Sequence, residues 1–193
     1  MAQTDHYARC GEDASTLTLE EFARRWPGHY LLVTIPGGSV DDWDMDFQTS
    51  VMSIDTMTSP PGDVAFPGTD EDEAEAPPGT YLFEIRKHAD NSWLDWIAVG
   101  RARNNDLILR HQSVSKLHAR IHLKNEGGIG AADRSSFWLT DMKSKAGTTI
   151  NSAFLKPAEP FRLNPGDEIQ LGLVTCEFLD SAALYRRLTA VDW

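Results

Sequence analysis

The sequence contains few cysteines and no cysteine pattern that binds metal. Its two cysteines, Cys10 and Cys176, lie far apart, and neither belongs to a Cys-x-x-Cys pair. Such spacing is typical of free thiols in a reducing compartment rather than of a zinc site or a disulfide framework. We therefore expect no structural metal, and we place Cys176 in the core.

Long apolar runs and catalytic motifs are also missing. No stretch of about 18 apolar residues is present, so no membrane-spanning helix is expected. The first residues lack the basic-then-apolar layout of a signal peptide, which favours a cytoplasmic protein. No Gly-x-Ser-x-Gly, His-Glu-x-x-His or Walker sequence occurs, and the chain is therefore not expected to be an enzyme.

Positive charge is absent from one long segment. Residues 37–80 contain eleven acids and no Lys or Arg, whereas the rest of the chain has 18 acids and 18 bases. The segment alone accounts for the net charge of −11, and nucleic acid is not expected as a partner. Its prolines and unbalanced charge predict a disordered acidic linker over 37–79. A few apolar residues in its first half leave a short docking motif as an alternative.

A small helix and a strand precede this linker. Residues 1–15 are polar and are expected to be irregular. Thr18 and Glu21 then have the spacing of a capping box, and Phe22 and Trp26 fall on the apolar face of the helix that follows. A short strand is predicted at 29–35. We therefore expect an N-terminal helix-strand extension over 1–36, packed on the main domain or on a partner.

From Thr80 the chain changes to short strands with alternating polarity. We predict strands near 81–86, 93–99, 106–109, 118–123, 137–140, 149–150, 161–163, 168–171 and 174–179. Many short strands without intervening helices are typical of an antiparallel β-sandwich, here over 80–180. A C-terminal helix is predicted within 181–193, with Leu184 and Leu188 facing inward.

Three short motifs follow one another within this β-rich region. They are Gly100-Arg101, then Ser115-x-x-His118, then Ser144-x-x-Gly147-Thr148 with a downstream Asn151. Their order resembles the forkhead-associated (FHA) family over about residues 80–180. The resemblance implies an all-β sandwich of the SMAD/FHA type that binds phosphothreonine. The sequence is similar to bacterial FHA proteins that act beside Ser/Thr kinases in signalling.

The resemblance also implies a binding site for a phosphorylated peptide. Arg101 and Ser115 match the residues that contact phosphate oxygens, and arginine suits that role because its planar fork cannot lose its charge. His118 matches a structural residue of the family. The predicted peptide-binding residues are Arg101, Ser115, Lys116, Lys145, Ala146, Thr148 and Asn151, and the motif residues that support them are Gly100, His118 and Gly147.

Two alternatives to phosphothreonine binding remain open. The family usually has Asn where this chain has Ala146, so an FHA-fold scaffold that binds partners independently of phosphate is the first alternative. A hydrolase using Ser115, His118 and Asp141 is the second. No third ligand accompanies His118 and His122, so no metal is expected there.

The acidic segment itself contains candidate ligands for such a site. Thr49, Thr56, Thr58 and Thr69 are possible phosphoacceptors, and Thr69 has Asp72 three residues later, a position that FHA modules often recognise. We therefore predict that the segment can bind its own domain, with a solubilising spacer as the alternative.

Overall fold

The computed structural model of the chain describes residues 3–37, 75–88, 95–125 and 135–190. Most of the acidic segment falls outside these ranges. The candidate phosphoacceptors Thr49, Thr56, Thr58 and Thr69 therefore lie outside the described residues, and so does most of the predicted linker.

The described residues form three helices and eleven strands. The helices are α1 (Gln3–Thr16), α2 (Leu19–Arg25) and α3 (Ser181–Thr189). The strands are β1 (His29–Ile35), β2 (Gly79–Glu84), β3 (Ile97–Gly100), β4 (Leu107–Ile108), β5 (Ala119–Asn125), β6 (Ser135–Asp141), β7 (Thr148–Ile150), β8 (Ala153–Phe154), β9 (Pro160–Leu163), β10 (Glu168–Leu171) and β11 (Val174–Asp180).

The strands form two sheets around one apolar core. The first sheet has the strand order β2-β1-β11-β10-β7-β8, and the second has the order β4-β3-β5-β6-β9. Alternate side chains point inward, so Ile121 on β5, Leu139 on β6 and Phe178 on β11 are almost completely buried. The predicted β-sandwich is confirmed, although β3 and β4 pair in parallel within it.

Strand β1 lies inside the first sheet, between β2 and β11. Leu31 pairs with Phe83 on one side and with Phe178 on the other. Leu31 and Val33 consequently belong to the core of the sandwich. The strand was predicted, but as part of an extension over 1–36. In the structure it is instead an inner strand of the sandwich, because its apolar residues are buried when β1 pairs with β2 and β11.

The helices pack on the outer face of the first sheet and form a second apolar cluster there. Phe22 of α2 and Leu184 of α3 are fully buried in this cluster, beside Leu82 of β2. The prediction that the first 15 residues are irregular was wrong. Helix α1 forms because it buries Cys10 and Ala14 against the same cluster.

Side-chain caps begin the two shorter helices. Thr18 accepts a hydrogen bond from the Glu21 backbone N–H, and the Glu21 carboxylate accepts one in return, which confirms the predicted capping box. Asp180 caps α3 by accepting from the Ala183 N–H. Within the described ranges, no helix is long and apolar enough to cross a membrane.

Candidate functional site

The chain turns sharply after β3, at Gly100. A Cβ atom there would lie 2.4 Å from the carbonyl oxygen of Lys116, so a larger residue would force the backbone apart. The buried side chain of Asn105 donates two hydrogen bonds, to the Ala102 carbonyl at 2.8 Å and to the Lys116 carbonyl at 2.6 Å. The turn is thereby held against residues 110–118, which we call the first loop.

Arg101 is fixed against this loop by two hydrogen bonds. Its backbone N–H donates to the carbonyl of Ser115 at 3.0 Å, and its Nε donates to the carbonyl of Val114 at 3.3 Å. The side chain is half-buried, and no acidic side chain of the described ranges forms an ion pair with it. The guanidinium is therefore oriented while its other N–H groups stay available for an anion.

Ser115 lies where the first loop meets the second loop, residues 142–147. Its hydroxyl oxygen accepts a hydrogen bond from the Lys145 backbone N–H at 3.0 Å. Because that bond uses only a lone pair, the hydroxyl proton can still be donated to a ligand. The structure thus joins the two loops through Ser115 and Lys145, and the Ser115 hydroxyl proton remains as a donor at this junction.

His118 connects the two loops from beneath. Its Nδ1 accepts from the Ser115 backbone N–H at 3.1 Å, and its Nε2 is 3.1 Å from the carbonyl oxygen of Gly147. The ring is therefore neutral with its proton on Nε2, since one nitrogen must accept and the other must donate. The side chain has no exposed surface. A structural role, as predicted, agrees with this placement.

Asp141 shapes the second loop. Its buried carboxylate accepts hydrogen bonds from the Ser144 hydroxyl at 2.6 Å, the Ser144 backbone N–H at 3.0 Å and the Thr148 hydroxyl at 2.7 Å. Thr148 was predicted to contact the peptide, but its side chain is 1% exposed. Its hydroxyl is directed to Asp141, so Thr148 stabilises the loop from inside.

The Thr148–Asp141 hydrogen bond yields a prediction with a neighbouring control. Thr148→Val keeps the shape of the side chain and removes a donor to a buried carboxylate, so the free energy of unfolding should fall by about 1–3 kcal/mol. Thr149→Val alters an exposed hydroxyl 3.5 Å from Gln170 and should change the free energy of unfolding by less than about 0.5 kcal/mol. Urea denaturation measures both; equal effects would contradict the assignment.

The other predicted site residues do not all lie on the two loops. Lys116 and Ala146 are exposed on the two loops, and Gly147 has φ +79°, which favours glycine. Asn151, in contrast, lies at the far end of β7. Its side-chain N–H donates to the carboxylate of Asp167 at 2.9 Å, and its side-chain oxygen accepts from the backbone N–H of Glu168 at 3.0 Å. The structure therefore does not bring Asn151 together with the loops.

A third segment supports the loops, and the sequence analysis did not identify it. The turn between β10 and β11 packs on the first loop: the Leu173 N–H donates to the Ser113 hydroxyl at 2.9 Å. A Cβ atom on Gly172 would lie 2.6 Å from the Ser113 carbonyl oxygen. This contact depends on a serine that lies far from the glycine in the sequence, so no local sequence pattern could have predicted it.

The geometry does not assemble the hydrolase considered above. The Ser115 hydroxyl accepts from the Lys145 backbone, and both ring nitrogens of His118 are engaged by backbone groups. Asp141 Oδ2 is 4.0 Å from His118 Nε2, beyond hydrogen-bonding distance. A general base must reach the hydroxyl it activates, and this imidazole is held by other partners.

Burial of histidines predicts a definite dependence of stability on pH. Burial lowers the pKa of His118 below its ordinary value of 6.5, against the opposing effects of the Gly147 carbonyl and Asp141. Burial lowers the pKa of His29 in the same direction. The unfolded chain then binds more protons than the folded one below pH 6.5, so stability should fall as pH drops through that window. Urea denaturation at pH 7.5, 6.5 and 5.5 should show a progressive decrease; a constant or rising stability would contradict it.

Comparison with known proteins agrees with the sequence resemblance. Residues 97–172 match the family model of the FHA domain. The chain is also similar to the yeast Dun1 FHA domain in complex with a doubly phosphorylated peptide derived from Rad53, at 21% identity and a TM-score of 0.47, over 80% of this chain and 74% of that chain.

Two further solved structures are similar. EmbR from Mycobacterium tuberculosis, in complex with a low affinity phosphopeptide, shares 22% identity over 54% of this chain and 22% of that chain, with a TM-score of 0.38. The Slr1951 protein from Synechocystis sp. shares 15% identity over 78% of this chain and 96% of that chain, with a TM-score of 0.44. The match of the family model over residues 97–172 confirms the resemblance to the FHA family that was found in the sequence.

Proposed function

We propose that this chain is a phosphothreonine-dependent interaction module that acts in Ser/Thr kinase signalling in the cytoplasm. The family of its domain supports phosphopeptide binding. The similar yeast and mycobacterial proteins carry phosphopeptides in their solved structures. The two cysteines are free and buried, which suits a reducing compartment.

One observation supports the proposal most directly. The Lys145 backbone N–H fixes the Ser115 hydroxyl, and the Val114 carbonyl orients the Arg101 guanidinium. Neither bond uses the hydroxyl proton of Ser115 or the terminal N–H groups of Arg101, which can therefore bind an anion. A phosphate dianion on a flexible threonine requires donors that are already in place, because ordering them on binding would cost affinity. His118 provides that rigidity by bonding to both loops at once.

The proposal is tested with three peptides of one sequence that differ at a single residue. The full chain should bind the phosphothreonine peptide, bind the phosphoserine peptide several-fold more weakly and ignore the unmodified peptide. One buried methyl group contributes about 0.8 kcal/mol, which corresponds to a few-fold difference. Isothermal titration calorimetry on a library-selected peptide measures the three affinities. Equal binding of the phosphorylated and unmodified peptides would reject phosphate dependence.

Ala146 keeps the phosphate-independent scaffold as a second candidate. The residue is exposed in the second loop, where its methyl group cannot make the backbone hydrogen bond that an asparagine amide offers. Ala146→Asn distinguishes the two cases. In a phosphothreonine module the variant should bind the phosphopeptide more tightly, and in a scaffold it should leave phosphopeptide binding absent.

We also propose that the acidic segment, once phosphorylated, competes for its own site. Where the chain re-enters the described structure, the Ala76 N–H donates to the Arg110 carbonyl and the Glu75 carboxylate accepts from the Gln112 N–H. Gln112 is three residues from Ser115, and the six residues from Thr69 to Glu75 can span about 20 Å. The segment therefore joins the domain beside the first loop.

This competition is measured by excising residues 38–74 and closing the gap with a short Gly/Ser bridge that keeps β1 and β2. After treatment with a Ser/Thr kinase, the full chain should bind an external phosphothreonine peptide about tenfold or more weakly than the excised variant, because a tethered ligand reaches roughly millimolar effective concentration. Equal affinities in the treated and untreated states would leave the segment as a spacer.

A further inference from the structure

A row of basic side chains runs down the outer face of the second sheet. Ala119 and Ile121 of β5 point into the core, so the alternate residues Arg120, His122 and Lys124 point the other way. We call these three residues the basic stripe. It begins directly after His118 and thus adjoins the first loop, and its members repeat about every 7 Å.

An aromatic residue flanks the stripe on the neighbouring strand. Trp138 pairs in register with His122, and the Lys124 ammonium lies 4.5 Å from the centroid of its indole ring. The indole N–H donates to the Ser136 hydroxyl at 2.9 Å, which fixes the ring. The cation is therefore held over a rigid surface rather than left to move freely.

The stripe has a net positive environment. Burial first, and then the charges of Arg120 and Lys124, lower the pKa of His122, while Asp95 opposes them. Among the described residues, Arg120 Nε is a buried side-chain nitrogen without a hydrogen-bond partner. Such a buried donor without an acceptor is uncommon in folded proteins.

We propose that the basic stripe binds an acidic segment of the same phosphorylated partner whose phosphothreonine occupies the Arg101–Ser115 site. This inference rests on the proposed function and extends it to the chemistry of the partner. An extended peptide running along β5 presents alternate residues on one face at the repeat of the stripe, about 7 Å. The partner therefore carries acids at every second position, of the form Glu-x-Glu-x-Glu.

The single-file geometry favours a peptide over nucleic acid. Outside residues 37–80 the chain has 18 acids and 18 bases, so the domain has no broad basic field of the kind that binds a phosphate backbone. Two cations, Arg120 and Lys124, on either side of a neutral His122 at peptide spacing match a local pattern of carboxylates instead. Continuity with the first loop allows one partner chain to occupy both places.

The test uses three phosphothreonine peptides and the full chain. The first is the tightest-binding peptide from a library, which serves as the core peptide. The second adds Glu-x-Glu-x-Glu to it and the third adds Gln-x-Gln-x-Gln, each made once on the N-terminal and once on the C-terminal side of the phosphothreonine. On one of these two sides, the acidic extension should tighten binding about three- to tenfold over the Gln extension at 50 mM salt, as expected for a few exposed ion pairs. The gain should largely disappear at 500 mM salt.

Lys124→Gln should remove most of this gain and leave the affinity for the core peptide unchanged. Lys156→Gln is the matched control, because Lys156 is also exposed but pairs with Glu159 on the connection between β8 and β9. That variant should keep the full gain. Retention of the gain in Lys124→Gln, or its loss in both variants, would overturn the assignment of the stripe.

The remaining outcomes separate the stripe from the phosphate site. If the core peptide binds and the two extensions do not differ, the stripe proposal is wrong while the proposed function stands. If no phosphothreonine peptide binds, the proposed function fails and the stripe proposal fails with it. The proposal would also be overturned if a single-stranded oligonucleotide bound more tightly than the extended peptide and this binding disappeared in Lys124→Gln. The face would then be a nucleic-acid surface.

Discussion

Arg101→Ala is expected to abolish phosphothreonine-peptide binding, with a loss of at least about a hundredfold and no loss of fold. Two hydrogen bonds from a guanidinium to a phosphate contribute about 1.5–3 kcal/mol each, which together correspond to more than a hundredfold in affinity. The side chain supplies no atom to the apolar core, and among the described residues its hydrogen bond is a 3.3 Å contact between Nε and the Val114 carbonyl.

Calorimetry with the same library-selected peptide gives the affinity, and urea denaturation gives the stability. Arg186→Ala is the control, since Arg186 is an exposed arginine on α3, on the outer face of the first sheet. It should bind like the unaltered chain. If Arg101→Ala and the unaltered chain bind the peptide equally, the phosphate site lies elsewhere.

His118→Ala should have the largest effect on stability. It leaves the Ser115 N–H and the Gly147 carbonyl without partners and opens a cavity in a fully buried position. Each orphaned buried group costs about 1–3 kcal/mol and the cavity adds to this, so the free energy of unfolding should fall by about 3–5 kcal/mol. Urea denaturation at 10 °C measures the loss while part of the variant remains folded.

Binding by this variant should decrease in proportion to its folded fraction, which circular dichroism gives under the same conditions. His122→Ala is a suitable comparison, because His122 lies on the outer face of the sheet and makes no bond between the loops; it should lose little stability. A His118→Ala protein with unchanged stability and no binding would point to a direct contact with the peptide, against the structural role assigned here.

The sequence predicted the sandwich well because the information lies in short local patterns. Alternating residues such as Ala119, Ile121 and Leu123 define a strand by themselves, and Asn164–Asp167 contains its own turn chemistry, with Gly166 at φ +98°. The three motifs place Arg101 and Ser115 on neighbouring loops for the same reason. Their predicted contact with phosphate stays a prediction.

What the sequence could not show depends on partners far away in the chain. Helix α1 has a weak apolar pattern, and it forms because Cys10 and Ala14 meet a cluster built from α2, α3 and the first sheet. Asn105 and Gly172 are small polar or flexible residues whose roles depend on the Lys116 and Ser113 backbones. Asn151 follows the motif in sequence, but β7 carries it to the opposite end of the strand.

The position of β1 determines what a proteolytic cut in the acidic segment would do to the fold. Residues 38–74 connect two strands of the same sheet, so a protease cut there would not separate two domains but would divide one sandwich into two pieces. The N-terminal piece would stay bound as a strand hydrogen-bonded on both sides, with its helices buried against the larger piece. Folding of the nicked protein would then become bimolecular, so its stability would rise with concentration in the manner of fragment complementation.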